Sequence, residues 1–313
     1  MSEAPSGAPL PSGVDAAEAG QPHSSRRLRG RAGAVARGAG AALRPSSLRG
    51  TAVEVAWIAA HAATYPLGVA QEKARRREEH YSLTNLSPLH RGLIIGDVEA
   101  AGTPILLVHG LVDNRSVFTV LRRQLRQRGF DRVWTTNYQV WTTDVRAAAR
   151  RLGETVDEVR EQTGCERIHV VGHSMGGLVA RYYVQRLGGD AHVHTLVTLG
   201  TPHQGTRTAR LMPLGIFRQL TPASDVIAEL AEPAPNCRTR FVAFASDIDA
   251  MISPKRAARI DHPDLSARNV TVRGVGHMSL PIDPRIGREI ASALAQLDSD
   301  GVTMTAGITR LTP

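Results

Sequence analysis

From Leu83 onward the chain alternates between two apolar rhythms. Short blocks of branched apolar residues, such as "PILLV" at 104–108 and "IHVV" at 168–171, have the length and composition of buried strands. Between them run longer stretches whose apolar residues recur every three or four positions, as on a helix with one buried face. The order predicted is a strand in "GLIIGDVEA" (92–100), a strand in "PILLVHG" (104–110), a helix over Val117–Arg128 and a strand in "RVWTTNY" (132–138). A helix follows over Thr143–Thr163, with Val145, Ala149, Leu152, Val156 and Val159 on one face. Then come the "IHVV" strand, a helix in "GGLVARYYVQRL" (176–187) and strands in "VHTLVTLG" (193–200), Arg240–Ala245 and "NVTVRGVGH" (269–277), and a last helix over Pro284–Leu297. Strands separated by helices of ten or more residues predict a mainly parallel sheet in a three-layer α/β fold with helices on both faces. Ligands of such folds bind beyond the carboxyl ends of the strands.

Three regions break the rhythm. Residues 1–50 are rich in Ala, Gly, Pro, Ser and Arg and are predicted to be a disordered tail. Residues 51–82 form an expected helical N-terminal extension. Its apolar part, "TAVEVAWIAAHAATYPLGVA" (51–70), carries Glu54, His61 and Pro66, which suits a helix packed on the domain or lying on a membrane surface rather than a span. The segment 206–232, inside an α/β domain placed at 83–298, carries the apolar cluster Leu211, Met212, Leu214, Ile216 and Phe217, then Leu220, Val226, Ile227 and Leu230. It is expected to be a small helical cap or lid, or else an ordinary packed helical connection. Residues 299–313 are expected to be a C-terminal tail.

Charge and cysteine content narrow the setting. The net charge is +9, and 36 of the 38 basic residues are arginine. Seven arginines between Arg26 and Arg49, with no acid among them, offer peripheral contact with anionic lipid, or are simply a solvated tail. No nucleic-acid motif accompanies them, and no nucleic-acid partner is expected. "SSRRLRG" resembles the start of a twin-arginine signal, but arginines stand where the apolar segment should follow. A cytoplasmic or peripherally membrane-associated protein is therefore expected. Cys165 and Cys237 each precede a predicted strand, with "HTLVTLG" between them, so a bridge would span two strand spacings, roughly 9–10 Å, and two free thiols are predicted.

The candidate chemistry lies at strand ends. Gly172, Ser174 and Gly176 form G-x-S-x-G between a strand and a helix. A sharp turn there leaves no room for flanking side chains, pushes the serine hydroxyl outward and aims a helix N-terminus at it. Ser174 is the candidate nucleophile. His277, directly after a strand, is the candidate base, whereas His262 in "DHPDL" reads as a surface turn. Asp249, in the loop after Arg240–Ala245, is chosen as the acid that orients His277, with Asp247 as the alternative. The backbone N–H groups of Leu111 and Met175 are the expected oxyanion donors. His109 is expected to brace the loop at 109–111, and Leu111, Val112, His173, Met212 and Phe217 to line the substrate site. No metal or cofactor is expected.

The stretches "HGLVDNRSVF", "VVGHSMGGLVARYY", "LVTLGTPHQGT", "SDIDAMISP" and "VRGVGHMSL" together resemble the α/β-hydrolase superfamily, in particular bacterial triacylglycerol lipases and esterases of actinobacterial type, over Pro88 to Leu297. The resemblance implies a three-layer α/β-hydrolase fold, a Ser-Asp-His triad and carboxylic-ester hydrolysis of a small-molecule or lipid ester without a cofactor. Secreted lipases of this kind carry a signal peptide, which this sequence does not show. An acyltransferase or thioesterase using the same acyl-enzyme is the rival enzyme class, and a non-catalytic lipid-binding protein on the same fold is the rival of another kind. Dehalogenase chemistry needs a carboxylate where Ser174 stands.

Overall fold

Strand β1 (Ile105–Val108) is apolar at every position because both of its faces are covered. Leu106 and Val108 face one hydrophobic cluster, and Ile105 and Leu107 face another. The same parity splits β5 (Arg240–Ser246), where Phe241 and Ala243 join the first cluster and Val242 and Phe244 the second. A computed structural model describes residues 102–110, 115–136, 144–211, 215–295 and 308–311. The remaining strands are β2 (Val133–Thr135), β3 (Ile168–His173), β4 (Val193–Leu199), β6 (Ala267–Val272) and β7 (Ile308–Leu311). Among the described residues they make one seven-stranded sheet in the order β2-β1-β3-β4-β5-β6-β7, parallel throughout.

The helices form the outer layers of the three-layer fold. Helices α1 (Thr119–Gln127) and α6 (Pro284–Ala295) cover the second cluster through Leu121, Leu125, Ile286, Ile290 and Leu294. Helices α2 (Val145–Thr163) and α3 (Met175–Arg186) cover the first. Helix α2 starts after Asp144, whose carboxylate accepts the amides of Arg146 and Ala147 at 3.2 and 3.3 Å, and it ends at the left-handed Gly164.

Two short helices, α4 (Ile216–Gln219) and α5 (Asp225–Glu229), lie in the expected cap. Their apolar residues Ile216, Phe217, Leu220, Val226, Ile227 and Leu230 are buried in the first cluster beside α2 and α3. The Glu229 carboxylate accepts from Arg146 Nε at 3.0 Å and from the Tyr182 hydroxyl at 2.5 Å, and the amide of Val145 donates to Gln219 at 2.9 Å. The described part of the segment is thus a docked helical connection.

One boundary differs from the sequence reading. Ile308–Leu311, expected in the tail, supplies the seventh strand and pairs with β6 from Asn269↔Ile308 to Val272↔Leu311. The expected strand at 92–100, the extension 51–82 and the tail 1–50 lie outside the described residues. Among the described residues no helix is long and apolar enough to cross a membrane. Cys165 and Cys237 precede β3 and β5 with β4 between them, and both thiols are free.

Candidate active site

The strand order reverses at β1, whose neighbours are β2 on one side and β3 on the other. The crevice outside the carboxyl ends of the strands at such a reversal is where ligands bind in open parallel sheets. Ser174 stands there, between β3 and α3, with φ 54° and ψ −127°. A residue with a side chain adopts that conformation only under constraint, at a cost on the order of 1–3 kcal/mol. The constraint is close packing of main chain. A Cβ on Gly172 would lie 2.4 Å from Gly177 Cα, and one on Gly176 would lie 2.3 Å from the Val108 carbonyl oxygen. Both glycines of the motif are therefore steric requirements of a corner pressed against β3's own helix and the end of β1.

The corner is held from β4 as well. The Ser174 amide donates to the Leu199 carbonyl at 2.8 Å, and the Thr201 hydroxyl donates to the Ser174 carbonyl at 2.9 Å. Between these two residues, Gly200 (φ 57°) approaches the acid and the imidazole. A Cβ there would sit 2.9 Å from His277 Nδ1 and 3.0 Å from Asp249 Oδ2. The chain from Leu199, at the end of β4, to Thr201 thus bonds to the main chain of Ser174 and passes close to Asp249 and His277.

His277 Nδ1 donates to Asp249 Oδ2 at 2.8 Å, and the two residues are 2 % and 1 % exposed. The other carboxylate oxygen accepts the amides of Met251 and Ile252 at 2.8 and 3.1 Å. Burial alone would raise the Asp249 pKa. The charge and hydrogen bond of His277, the Lys255 ammonium and the Met251 amide outweigh it, and the carboxyl lies below its ordinary range. Lys255 also donates to the Asp249 carbonyl. Ile252 docks the loop through a small cluster with Ala245, Ala257 and Ala258.

Asp247, the alternative acid, has another task. Its carboxylate accepts the Gly274 amide at 2.8 Å, tying the loop after β5 to the loop that carries His277. Ser246 makes a parallel tie to the Val275 carbonyl. His262, expected at the surface, is buried and bonds through Nε2 to the Glu232 carbonyl at 3.0 Å.

Two expected substrate contacts are placed elsewhere. Phe217 packs into the first core cluster beneath the helical connection, so its ring is consumed by the core. His173 is wholly buried, and its Nε2 lies 3.1 Å from the His277 carbonyl oxygen. His109 is also buried, with Nδ1 2.8 Å from the Gly110 carbonyl. Leu111, Val112 and Met212 lie outside the described residues. Met175 is the first residue of α3, directly after Ser174.

Sequence reasoning missed Arg181. It lies within α3, is 4 % exposed, and its guanidinium donates to the carbonyls of His203 at 3.2 Å and Leu230 at 2.9 Å and to Gln185 at 2.6 Å. Burial, reinforced by the charge of Arg186, pushes its pKa down to about 10. It joins the "TPHQGT" loop to the helical connection. The signal was an arginine inside a helix flanked on both sides by apolar residues. Among the described residues no group of three or more metal-ligand side chains converges.

A strained serine corner beside a sealed carboxylate–imidazole pair, at the switch point of a parallel sheet, makes the chain an α/β-hydrolase-fold protein. In kind it resembles the bacterial lipases and esterases. Residues 104–239 match the profile of the palmitoyl protein thioesterase family, a span that holds Ser174 but neither Asp249 nor His277. A triacylglycerol lipase of Pseudarthrobacter phenanthrenivorans is 30% identical over 114 residues, covering 34% of this chain and 35% of that protein. A triacylglycerol lipase of Burkholderia plantarii is 30% identical over 114 residues, covering 34% of this chain and 31% of that one. The match thus spans about a third of the length of these curated relatives. Among solved structures, the mature form of a Bacillus licheniformis lipase superposes with a TM-score of 0.54 at 17% identity, over 63% of this chain and 93% of that one. Aspergillus fumigatus lipase B superposes with a TM-score of 0.54 at 15% identity, over 62% and 52%.

Proposed function

We propose that the protein hydrolyses carboxylic esters of lipids through an acyl-enzyme on Ser174. The observation that carries this reading is the turn Leu199–Thr201, which grips the serine corner on one side and lies against the buried Asp249–His277 pair on the other. With Nδ1 donating to Asp249, the basic lone pair of His277 is on Nε2. In the proposed reaction Nε2 takes the Ser174 proton as Oγ adds to the ester carbonyl. The resulting oxyanion is assigned to the Met175 amide and, from the sequence pattern, the Leu111 amide. Collapse breaks the bond to the alcohol, which leaves with the proton from His277. Water, deprotonated by the same nitrogen, then adds to the acyl-enzyme and releases the acid. The lipid class rests on the similarity to triacylglycerol lipases.

The test is a p-nitrophenyl ester series from acetyl to palmitoyl with wild type and Ser174→Ala. The variant should lose roughly 10³- to 10⁶-fold in kcat. Near-normal turnover by it would end the assignment. A second reading, hydrolysis of acyl thioesters, is favoured by the match to the palmitoyl protein thioesterase family. Acyl-thioester substrates of the same chain lengths separate the two by the ratio of kcat/KM values. The arginine-rich residues 26–49 are the proposed contact with an anionic membrane surface, which would place the protein in the cytoplasm or on the inner membrane face. Vesicle co-sedimentation that is independent of anionic lipid would remove that part.

A further inference from the structure

His173 ends β3 and is joined directly to Ser174, and its ring lies against that of His277. It is wholly buried, and its Nε2 lies 3.1 Å from the main-chain oxygen of His277. A carbonyl oxygen only accepts, so the ring nitrogen donates, which fixes Nε2–H on this histidine. The two imidazoles also touch, with centroids 4.9 Å apart and planes tilted by 43°.

His277 lies outside any strand or helix and opens the turn His277–Leu280, in which the Leu280 amide donates to the His277 carbonyl at 3.4 Å, so its position is set by side-chain and loop contacts. Asp249 fixes its ring at Nδ1. The segment after β6 is tied to the end of β5 through Ser246 and to the following loop through Asp247, at Val275 and Gly274. Both ties fall short of His277 itself. The bond from His173 reaches the main chain of His277 and originates one residue from Ser174 Oγ. It is thus a direct lever between serine and histidine across 104 positions of sequence.

We infer that His173 is a positioning residue, which sets the distance between Ser174 and the His277 imidazole by holding the main chain of His277 from the serine corner. The inference rests on the acyl-enzyme reading given above. It predicts that turnover depends on a hydrogen-bond donor at the Nε2 position and not merely on a ring of that size.

His173→Phe keeps the ring and volume and removes the donor, whereas His173→Gln places an amide N–H near the Nε2 position. Sites are counted by titration with a fluorophosphonate, so that misfolded protein does not enter, and kcat is expressed per titrated site on p-nitrophenyl butyrate. His173→Phe should lower kcat per site about 10- to 100-fold with KM within about twofold, the loss expected when reacting groups drift by up to about 1 Å. His173→Gln should recover most of it. If the Phe variant is insoluble, His173→Asn takes its place. Its amide stops at the Nδ1 position, and it should be impaired where Gln is not. Wild-type kcat per site in the Phe variant, or equal impairment of donor and non-donor variants, overturns the inference and leaves the acyl-enzyme reading intact. Wild type that neither reacts with the fluorophosphonate nor turns over esters overturns both.

Discussion

Replacing Gly200 with alanine isolates the steric role of the turn after β4. The new Cβ would stand 2.9 Å from His277 Nδ1, 3.0 Å from Asp249 Oδ2 and 2.9 Å from Leu280 Cδ1. Carbon contacts relax to about 3.5–4.0 Å, so the imidazole, the carboxylate or the turn must retreat by roughly 0.6–1 Å. The pair has little room to move together, because Asp249 also accepts the amides of Met251 and Ile252 and both side chains are sealed from solvent. A misplacement of about 1 Å costs up to about 10²-fold in rate, and kcat should fall about 30- to 100-fold. The backbone strain of alanine at φ 57° is a separate effect, worth about 1–2 kcal/mol of stability. Gly188 supplies the control. It has φ 77° with nothing within 4 Å of its virtual Cβ, so Gly188→Ala carries the strain without the clash. Both variants should melt about 2–8 °C lower. Only Gly200→Ala should lose turnover on p-nitrophenyl butyrate, measured beside thermal melts of the same samples. Turnover of Gly200→Ala within threefold of wild type, or an equal loss in Gly188→Ala, would refute the reasoning.

Two further predictions follow from strain and burial. Ser174→Ala and Ser174→Gly should both be inactive, but the glycine variant should be the more stable by about 1–2 kcal/mol in urea unfolding, because glycine adopts the corner's dihedrals without penalty. Equal stability would mean that the corner is unstrained. His169 and His203 are both held well below the ordinary histidine pKa, first by burial and then by positive neighbours, His194 with Arg240 and Arg167 for one and Arg181 for the other. The folded chain refuses protons that the unfolded chain accepts below about pH 6.5, so stability is full above that value and is lost as pH falls. Each group contributes at most about 1.4 kcal/mol per pH unit, and the depressed Asp249 adds a further loss only below about pH 4. Urea midpoints that stay flat between pH 7.5 and pH 5 would contradict this.

The strand–helix alternation was legible because burial on both faces forces unbroken apolar blocks such as Ile105–Val108, and because α2 displays one apolar face over nineteen residues. The serine corner was legible because its glycines are sterically required. Strand β7 was not. Ile308–Leu311 is four residues long, too short for alternation to stand out. The segment at 206–232 was left open between a cap and a packed connection for a different reason. Phe217 and its neighbours are apolar whether they line an acyl site or seal a core, and only packing tells which. His173 was assigned to the substrate site. Its true direction follows from strand parity, since it shares a face with Val171 of the second cluster, opposite Val170 of the first. Arg181 was hidden because its partners are main-chain carbonyls of His203 and Leu230, which leave no trace in side-chain spacing.

The link between His173 and His277 spans 104 positions, and that between Asp249 and His277 spans 28. On the ribosome, at about 5–20 residues per second, the serine corner is made roughly 5–20 s before the imidazole of His277 exists. Under the proposed mechanism a nascent or prematurely ended chain carries an inert hydroxyl, and reactivity arrives only when the sixth strand has been laid beside the fifth.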